Sequence, residues 1–346
     1  MMTDRPPAEI LVRGTNWIGD AVMTLPALAA LREHFPQARL TVLTRPWAAG
    51  VYQGQAGVAQ VLTYEPAGRH RGLTGALALI RELARFDLAL LFQNAFSAAL
   101  FPALARIPER WGYARDGRGW LLTRAVRVAP EDLAVHQVFY YLNLLGKLGL
   151  PAPYRPPRLT LDEAAQEEAE AVLTPAGLGQ GRPFLALAPG AAFGPAKRWP
   201  ETCFARAARL ILERRPGGTV ILGGPEEAPA AARLAEMLPE PKLNLAGRTT
   251  LKTAMAVLSR AYLLLTNDSG LMHLGGALGV PLAAVFGPTD PAATAPLGPS
   301  RLIRSRAACA PCRKRVCPLP RQVCFDEADP DLVAETALEL LEPQPI

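Results

Sequence analysis

The chain has 346 residues, half of them hydrophobic and a fifth charged. That length exceeds what one hydrophobic core usually organises, and that composition excludes a chain that stays disordered, so two folded domains are expected. The net charge of +6 is uneven: residues 1–160 carry 18 Lys+Arg against 11 Asp+Glu, whereas residues 161–346 carry 19 against 20.

The start, residues 1–9, is polar and contains prolines, and it runs straight into Ile10-Leu11-Val12 with no pattern of a cleaved leader. No export signal is expected. Short aliphatic runs at 10–13, 40–44, 60–63 and 88–92 predict strands, and Ala/Leu-rich amphipathic stretches near 21–35, 73–85 and 96–105 predict helices between them. Residues 150–158 hold four prolines in nine positions, too stiff and too poor in donors for a helix or a central strand. They read as an interdomain linker, which sets an N-terminal domain at 1–155 and a C-terminal domain at 156–346.

After a helix near 162–173 the alternation resumes, with strands expected at 184–188, 219–222, 242–245, 262–266 and 282–286. Helices are expected near 201–214, 226–237, 250–258 and 269–278. The weakly polar stretch 270–287 is interrupted by His273, several glycines and Pro281, which suits a helix, turn and strand better than a bilayer span of about 20 residues. An amphipathic helix near 329–342 ends the chain, with packing back onto the first domain open to it. The expected fold is α/β, two doubly wound Rossmann-like units facing one another across a crevice lined by strand carboxyl ends, where open α/β sheets bind ligands.

Four segments after predicted strands could carry chemistry. In Arg13-Gly-Thr-Asn-Trp-Ile-Gly-Asp20 a Gly-containing loop leads to Asp20 at a helix start, where it reads either as a cap and dipole partner or as a general base. Ala188-Pro-Gly-Ala-Ala-Phe-Gly-Pro-Ala-Lys197 is a small-residue loop ending in Lys197 and Arg198, either a phosphate-neutralising cation or a turn with two solvated charges. Thr266-Asn-Asp-Ser-Gly-Leu-Met-His273 joins a strand to a helix whose first N–H groups form an anion site suited to a pyrophosphate. There Asp268 could accept sugar hydroxyls, and His273 either faces the site or sits in the core. In Leu222-Gly-Gly-Pro-Glu-Glu227, Glu226 or Glu227 stands where ribose hydroxyls would be held. No G-x-G-x-x-G follows a predicted strand, and neither a serine nucleophile elbow nor H-E-x-x-H occurs, which removes support from nicotinamide, flavin, hydrolase and metalloprotease readings.

A cysteine cluster, Cys309-Ala-Pro-Cys312 with Cys317 and Cys324, has the spacing C-x2-C-x4-C-x6-C. It suggests a structural zinc or iron–sulfur site, against reduced thiols or a redox-sensitive pair. The basic first half suits nucleic acid, an anionic membrane surface or a phosphorylated acceptor. The basic segment 301–321 lacks the interleaved aromatics of nucleic-acid binders, so no nucleic acid is expected.

The blocks Gly14 to Pro26, Gln93-Asn-Ala-Phe-Ser-Ala-Ala-Leu100, Pro189 to Pro200, Asn244-Leu-Ala-Gly247, Thr266 to His273 and Phe286-Gly-Pro288 together resemble glycosyltransferase family 9, most closely its type II heptosyltransferases. The resemblance runs in order over nearly the whole chain. It implies a GT-B fold and inverting transfer of L-glycero-D-manno-heptose from ADP-heptose to a heptosylated Kdo-lipid A acceptor. It also implies a cytoplasmic location, in peripheral contact with the inner face of the inner membrane. The N-terminal domain would bind acceptor and the C-terminal domain donor. By the same resemblance Asp20 would be the catalytic base and Lys197 would hold the donor phosphates. Ala192, Phe193, Glu226, Thr249, Asn267, Asp268, Ser269, Gly270 and His273 would line the donor site. No cofactor would be required for transfer, and the cysteine cluster is a departure that says nothing about it. Type I or III enzymes of the same family, and a non-catalytic nucleotide-sugar binding protein, are the alternatives.

Overall fold

The computed structural model describes residues 6–179 and 181–342, so the polar start up to residue 5 and the last four residues lie outside it. The chain divides into two compact units, the first ending at Thr160 and the second beginning at Leu161.

In the first unit β1 (Glu9–Arg13), β2 (Arg39–Thr44), β3 (Val58–Thr63), β4 (Leu88–Leu91), β5 (Glu109–Tyr113) and β6 (Arg124–Val126) form one sheet in the order β3-β2-β1-β4-β5-β6. Every pairing is parallel. Helices cover both faces of such a sheet, so its central strands are apolar on both sides; β4 is Leu-Ala-Leu-Leu and wholly buried. The two edge-side strands β5 and β6 are absent from the expectations above because Glu-Arg-Trp-Gly-Tyr and Arg-Ala-Val carry no aliphatic run. Their pairing to β4 and to each other makes them strands. Three helices were likewise unexpected, at Pro46–Tyr52, Pro130–Leu133 and Gln137–Lys147. The proline-rich stretch is laid along this unit: His34 Nε2 lies 2.7 Å from Pro151 O, and Arg155 donates to the Glu33 carboxylate.

In the second unit β7 (Phe184–Ala188), β8 (Gly218–Ile221), β9 (Lys242–Asn244), β10 (Leu263–Asn267), β11 (Leu282–Phe286) and β12 (Ser300–Arg304) form a second parallel sheet, ordered β12-β11-β10-β7-β8-β9. Counted from β7, this is the same 3-2-1-4-5-6 order as in the first unit. Strand order therefore reverses between β1 and β4 in one unit and between β7 and β10 in the other, and ligands of doubly wound sheets bind outside the carboxyl ends at such points. The C-terminal helix Pro330–Leu338 is shorter than expected and ends in a 3₁₀ turn; Val333, Ala334 and Ala337 join the core of this unit. Among the described residues no helix is long and apolar enough to cross a membrane.

Candidate active site

The reversal point of the second sheet gathers three of its loops onto one carboxylate. β10 ends in Asn267, paired in register so that Thr266 lies opposite Ala188, and both loops leave the sheet side by side. Lys197 Nζ donates to Asp268 Oδ2 at 2.6 Å, and Thr289 Oγ1, from the loop after β11, donates to the same oxygen at 2.5 Å. The Lys197 and Asp268 side chains are only 13% and 5% exposed, so the pair is largely removed from water. Lys197 Nζ also lies 4.9 Å from the centre of the Phe193 ring, a cation–π contact. An ammonium has three donors, and Asp268 accepts from one of them. The arrangement thus presents an oriented cation beside the start of helix Gly270–Ala277.

The 189–200 loop keeps its shape through buried anchors. Asn267, fully buried, accepts from Trp199 N at 3.1 Å and donates to Pro189 O at 2.6 Å, clasping both ends of the loop. Its amide bonds the protein's own backbone and so supports the loop. Trp199 is buried against Phe204, ring centres 4.9 Å apart, and donates through Nε1 to Ala328 O. Phe193 is half-buried and Ala192 exposed on this loop.

Helix Gly270–Ala277 begins at Ser269, whose side chain makes no cap bond and lies 3.3 Å from Thr266 Oγ1. Ser269 and Gly270 are half-buried there, and the helix start carries the positive end of its dipole. His273, one turn on, is 5% exposed and lies in the interior. Thr249 follows β9 and is half-buried.

The acid beside the site is Glu227. Its carboxylate sits so close over Gly190 that any side chain there would collide with it, and Oε2 accepts from Gly224 N at 2.7 Å. Burial pushes the Glu227 carboxyl above its ordinary range, against the opposing pull of the Gly224 N–H and of nearby Arg198. Glu226, expected above as the ribose acid, is exposed. Arg198 Nε is buried without a hydrogen-bond partner among the described residues. Thr289 and Arg198 were not singled out as ligand residues from the sequence; Thr289 carried one faint signal, a small polar residue directly after a strand.

In the first unit Asp20 lies in the first turn of helix Ile18–His34, directly beyond the carboxyl end of β1, and is half-buried. Tyr52 and Tyr141 surround it: burial raises both phenols above their ordinary range, and the Asp20 charge adds to that rise. Across the reversal point, Arg118 is buried and bonds Gln93 O, Tyr113 O and Asn94 Oδ1, holding the loop after β4. Asn16 Oδ1 and Gln93 Oε1, one after β1 and one after β4, are buried without a partner, as Arg198 Nε is in the second unit.

The metal centre expected at the cysteines finds no support in the structure. Among the described residues no group of three or more His, Cys, Asp or Glu side chains is placed to hold a metal ion. Cys309 is exposed, Cys312 and Cys317 are half-buried and Cys324 is buried beneath Gly287. Burial raises the Cys324 thiol above its ordinary range, and nearby Cys317 and Cys309 add to that rise.

The model of "Glycosyltransferase family 9 (heptosyltransferase)" matches residues 76–322, a stretch that holds Lys197, Glu227 and Asp268 and begins after Asp20. Lipopolysaccharide heptosyltransferase 2 of Salmonella typhimurium is 33% identical over 318 residues, covering 86% of this chain and 88% of that protein. Lipopolysaccharide heptosyltransferase 1 of Pseudomonas aeruginosa is 28% identical over 366 residues, 96% and 98% of the two chains. The solved structure of E. coli ADP-heptose lps heptosyltransferase II superposes with a TM-score of 0.80 at 29% identity, over 96% of this chain and 98% of that one.

Proposed function

We propose, from the premise that the chain belongs to glycosyltransferase family 9, that it is a type II heptosyltransferase. It moves L-glycero-D-manno-heptose from ADP-heptose to the first heptose of the lipopolysaccharide inner core. The observation that carries this reading is the Lys197–Asp268–Thr289 cluster at the reversal point of the second sheet, inside the stretch that matches the family. The type is supported by the higher identity to a heptosyltransferase 2 than to a heptosyltransferase 1.

The second unit takes the donor. Its diphosphate lies between Lys197 and the start of helix Gly270–Ala277, where cation and dipole stabilise charge as ADP leaves. Glu227, rather than Glu226, accepts from the ribose hydroxyls, with Phe193 and Ala192 beside the nucleotide sugar. The first unit takes the acceptor, whose acidic, phosphorylated head suits the basic excess of residues 1–160. Asn16 Oδ1 and Gln93 Oε1 accept acceptor hydroxyls. Asp20 removes the proton of the attacking hydroxyl as its oxygen bonds the anomeric carbon and the bond to ADP breaks on the opposite face. Configuration is therefore inverted, and such base catalysis is worth about 10²–10⁴-fold. Lys197 and the helix start supply the positive charge the leaving group needs, so the scheme runs without a metal. The acceptor being a membrane lipid, the protein works at the inner face of the inner membrane, on the cytoplasmic side.

The test is a transfer assay with ADP-heptose and acceptor lipids bearing no heptose or one, read by ADP release and product mass. Extension only of the one-heptose lipid is expected. Extension of the unheptosylated lipid would move the assignment to type I, and extension of neither would reject the function.

A further inference from the structure

The segment that carries the cysteines is bound to the lysine loop at three points. Ala196 N donates to Arg315 O at 3.1 Å, Arg315 Nε donates to Phe193 O at 2.6 Å, and Gln322 Nε2 donates to Ala196 O. The Arg315 guanidinium also lies 5.6 Å from the centre of the Phe193 ring, the same ring that Lys197 Nζ lies over. Gly194 has no room for a side chain because the Arg315 backbone occupies the place of its Cβ. Two residues earlier the same segment reaches a second loop: Arg313 N donates to Pro288 O at 2.8 Å, next to Thr289. Lys197 and Thr289 are the two donors to Asp268 Oδ2, and each sits beside a residue held by this segment.

We propose that the segment from Arg313 to Gln322 is a strap that positions Lys197, with Arg315 and Gln322 as its positioning residues. Lys197 stands on a short 3₁₀ turn, Pro195–Lys197, preceded by glycine, a stretch with little regular structure to fix it. The bonds to Phe193 and to both backbone atoms of Ala196 fix that turn from outside. Arg315 and Gln322 thus act on the donor phosphates only through the lysine. This rests on the reading that Lys197 holds those phosphates.

The test measures ADP affinity by calorimetry for wild type, Lys197→Ala, Arg315→Ala, Gln322→Glu and the double variant Lys197→Ala/Arg315→Ala, with donor KM and kcat for each. Arg315→Ala and Gln322→Glu are expected to weaken ADP binding roughly tenfold, since a misplaced binding group keeps only part of its interaction. The double variant is expected to bind within about twofold of Lys197→Ala alone, because a residue that works through another adds nothing once that other is gone. Additive losses in the double variant would overturn the strap and make Arg315 an independent phosphate ligand. Wild-type affinity in both strap variants, with Lys197→Ala impaired, would overturn it too. Wild-type affinity in Lys197→Ala would instead remove the underlying reading and the proposal with it. Gln322→Glu keeps the side-chain size and removes its donated bond, so it decides the matter should Arg315→Ala fail to fold.

Discussion

Lys197 and Asp268, 71 residues apart in sequence, meet at 2.6 Å because β7 and β10 are neighbours in the sheet and each is followed by a loop that turns over the same carboxyl end. The pair is buried enough that either charge alone would be poorly solvated. It orients the lysine and leaves its remaining donors for an anionic ligand.

Breaking that pair should therefore cost both stability and binding. Removing one partner of a buried ion pair leaves the other uncompensated, a loss of about 3 kcal/mol. Asp268→Asn is expected to lower unfolding stability by roughly that amount in denaturant titrations and to raise donor KM. Lys197→Ala should lose stability too, and donor binding more severely. Wild-type stability in Asp268→Asn would show that the pair is not desolvated as described.

Trp199 anchors the loop that ends beside Lys197. Trp199→Ala should cost about 3–5 kcal/mol, as for other large buried aromatics. Trp199→Phe should keep the contact with Phe204 and lose the bond to Ala328 O, a cost of about 1 kcal/mol. Thermal melts of the two variants read the difference, and equal losses would mean that packing contributes nothing beyond the indole N–H.

Glu227 gives a pH signature. Its carboxyl is raised in the folded protein, so the ionised form is disfavoured there relative to the unfolded chain. The resulting penalty is present above the raised folded value and is relieved as pH falls through it. Glu227→Gln can still accept from Gly224 N, so it should melt higher than wild type near pH 7–8, the gain shrinking as the medium is acidified toward the ordinary carboxylate range. Donor KM should rise in the same variant. A gain in melting temperature that is constant with pH would contradict the assignment of cause.

Metal content tests the cysteine cluster directly. Elemental analysis of the purified protein is expected to find neither zinc nor iron at one equivalent, and Cys309→Ser, at an exposed position, should melt within about a degree of wild type. Stoichiometric metal, released together with a fall in melting temperature, would restore the metal centre.

Much of the fold was legible because a parallel sheet covered on both faces writes its central strands as unbroken aliphatic runs, as in Leu88–Leu91 and Leu282–Phe286. β5, β6 and β12 were not, since their residues are charged, aromatic or short and only pairing with a neighbour makes them strands. For the candidate site, the loop positions of Asp20, Lys197 and Asp268 could be read from strand ends followed by small residues. What those side chains touch could not. That Asn267 faces inward to clasp the loop, that Glu227 rather than its neighbour covers Gly190, and that Thr289 reaches Asp268 all depend on adjacency between strands far apart in sequence.

The most direct measurement is single-turnover transfer from ADP-heptose to the one-heptose acceptor by wild type and Asp20→Asn, with donor affinity measured alongside. The account predicts unchanged donor affinity and a transfer rate lower by about 10²–10⁴-fold in the variant, the worth of a general base. Transfer at the wild-type rate, or a loss of donor binding that accounts for the whole defect, would contradict it.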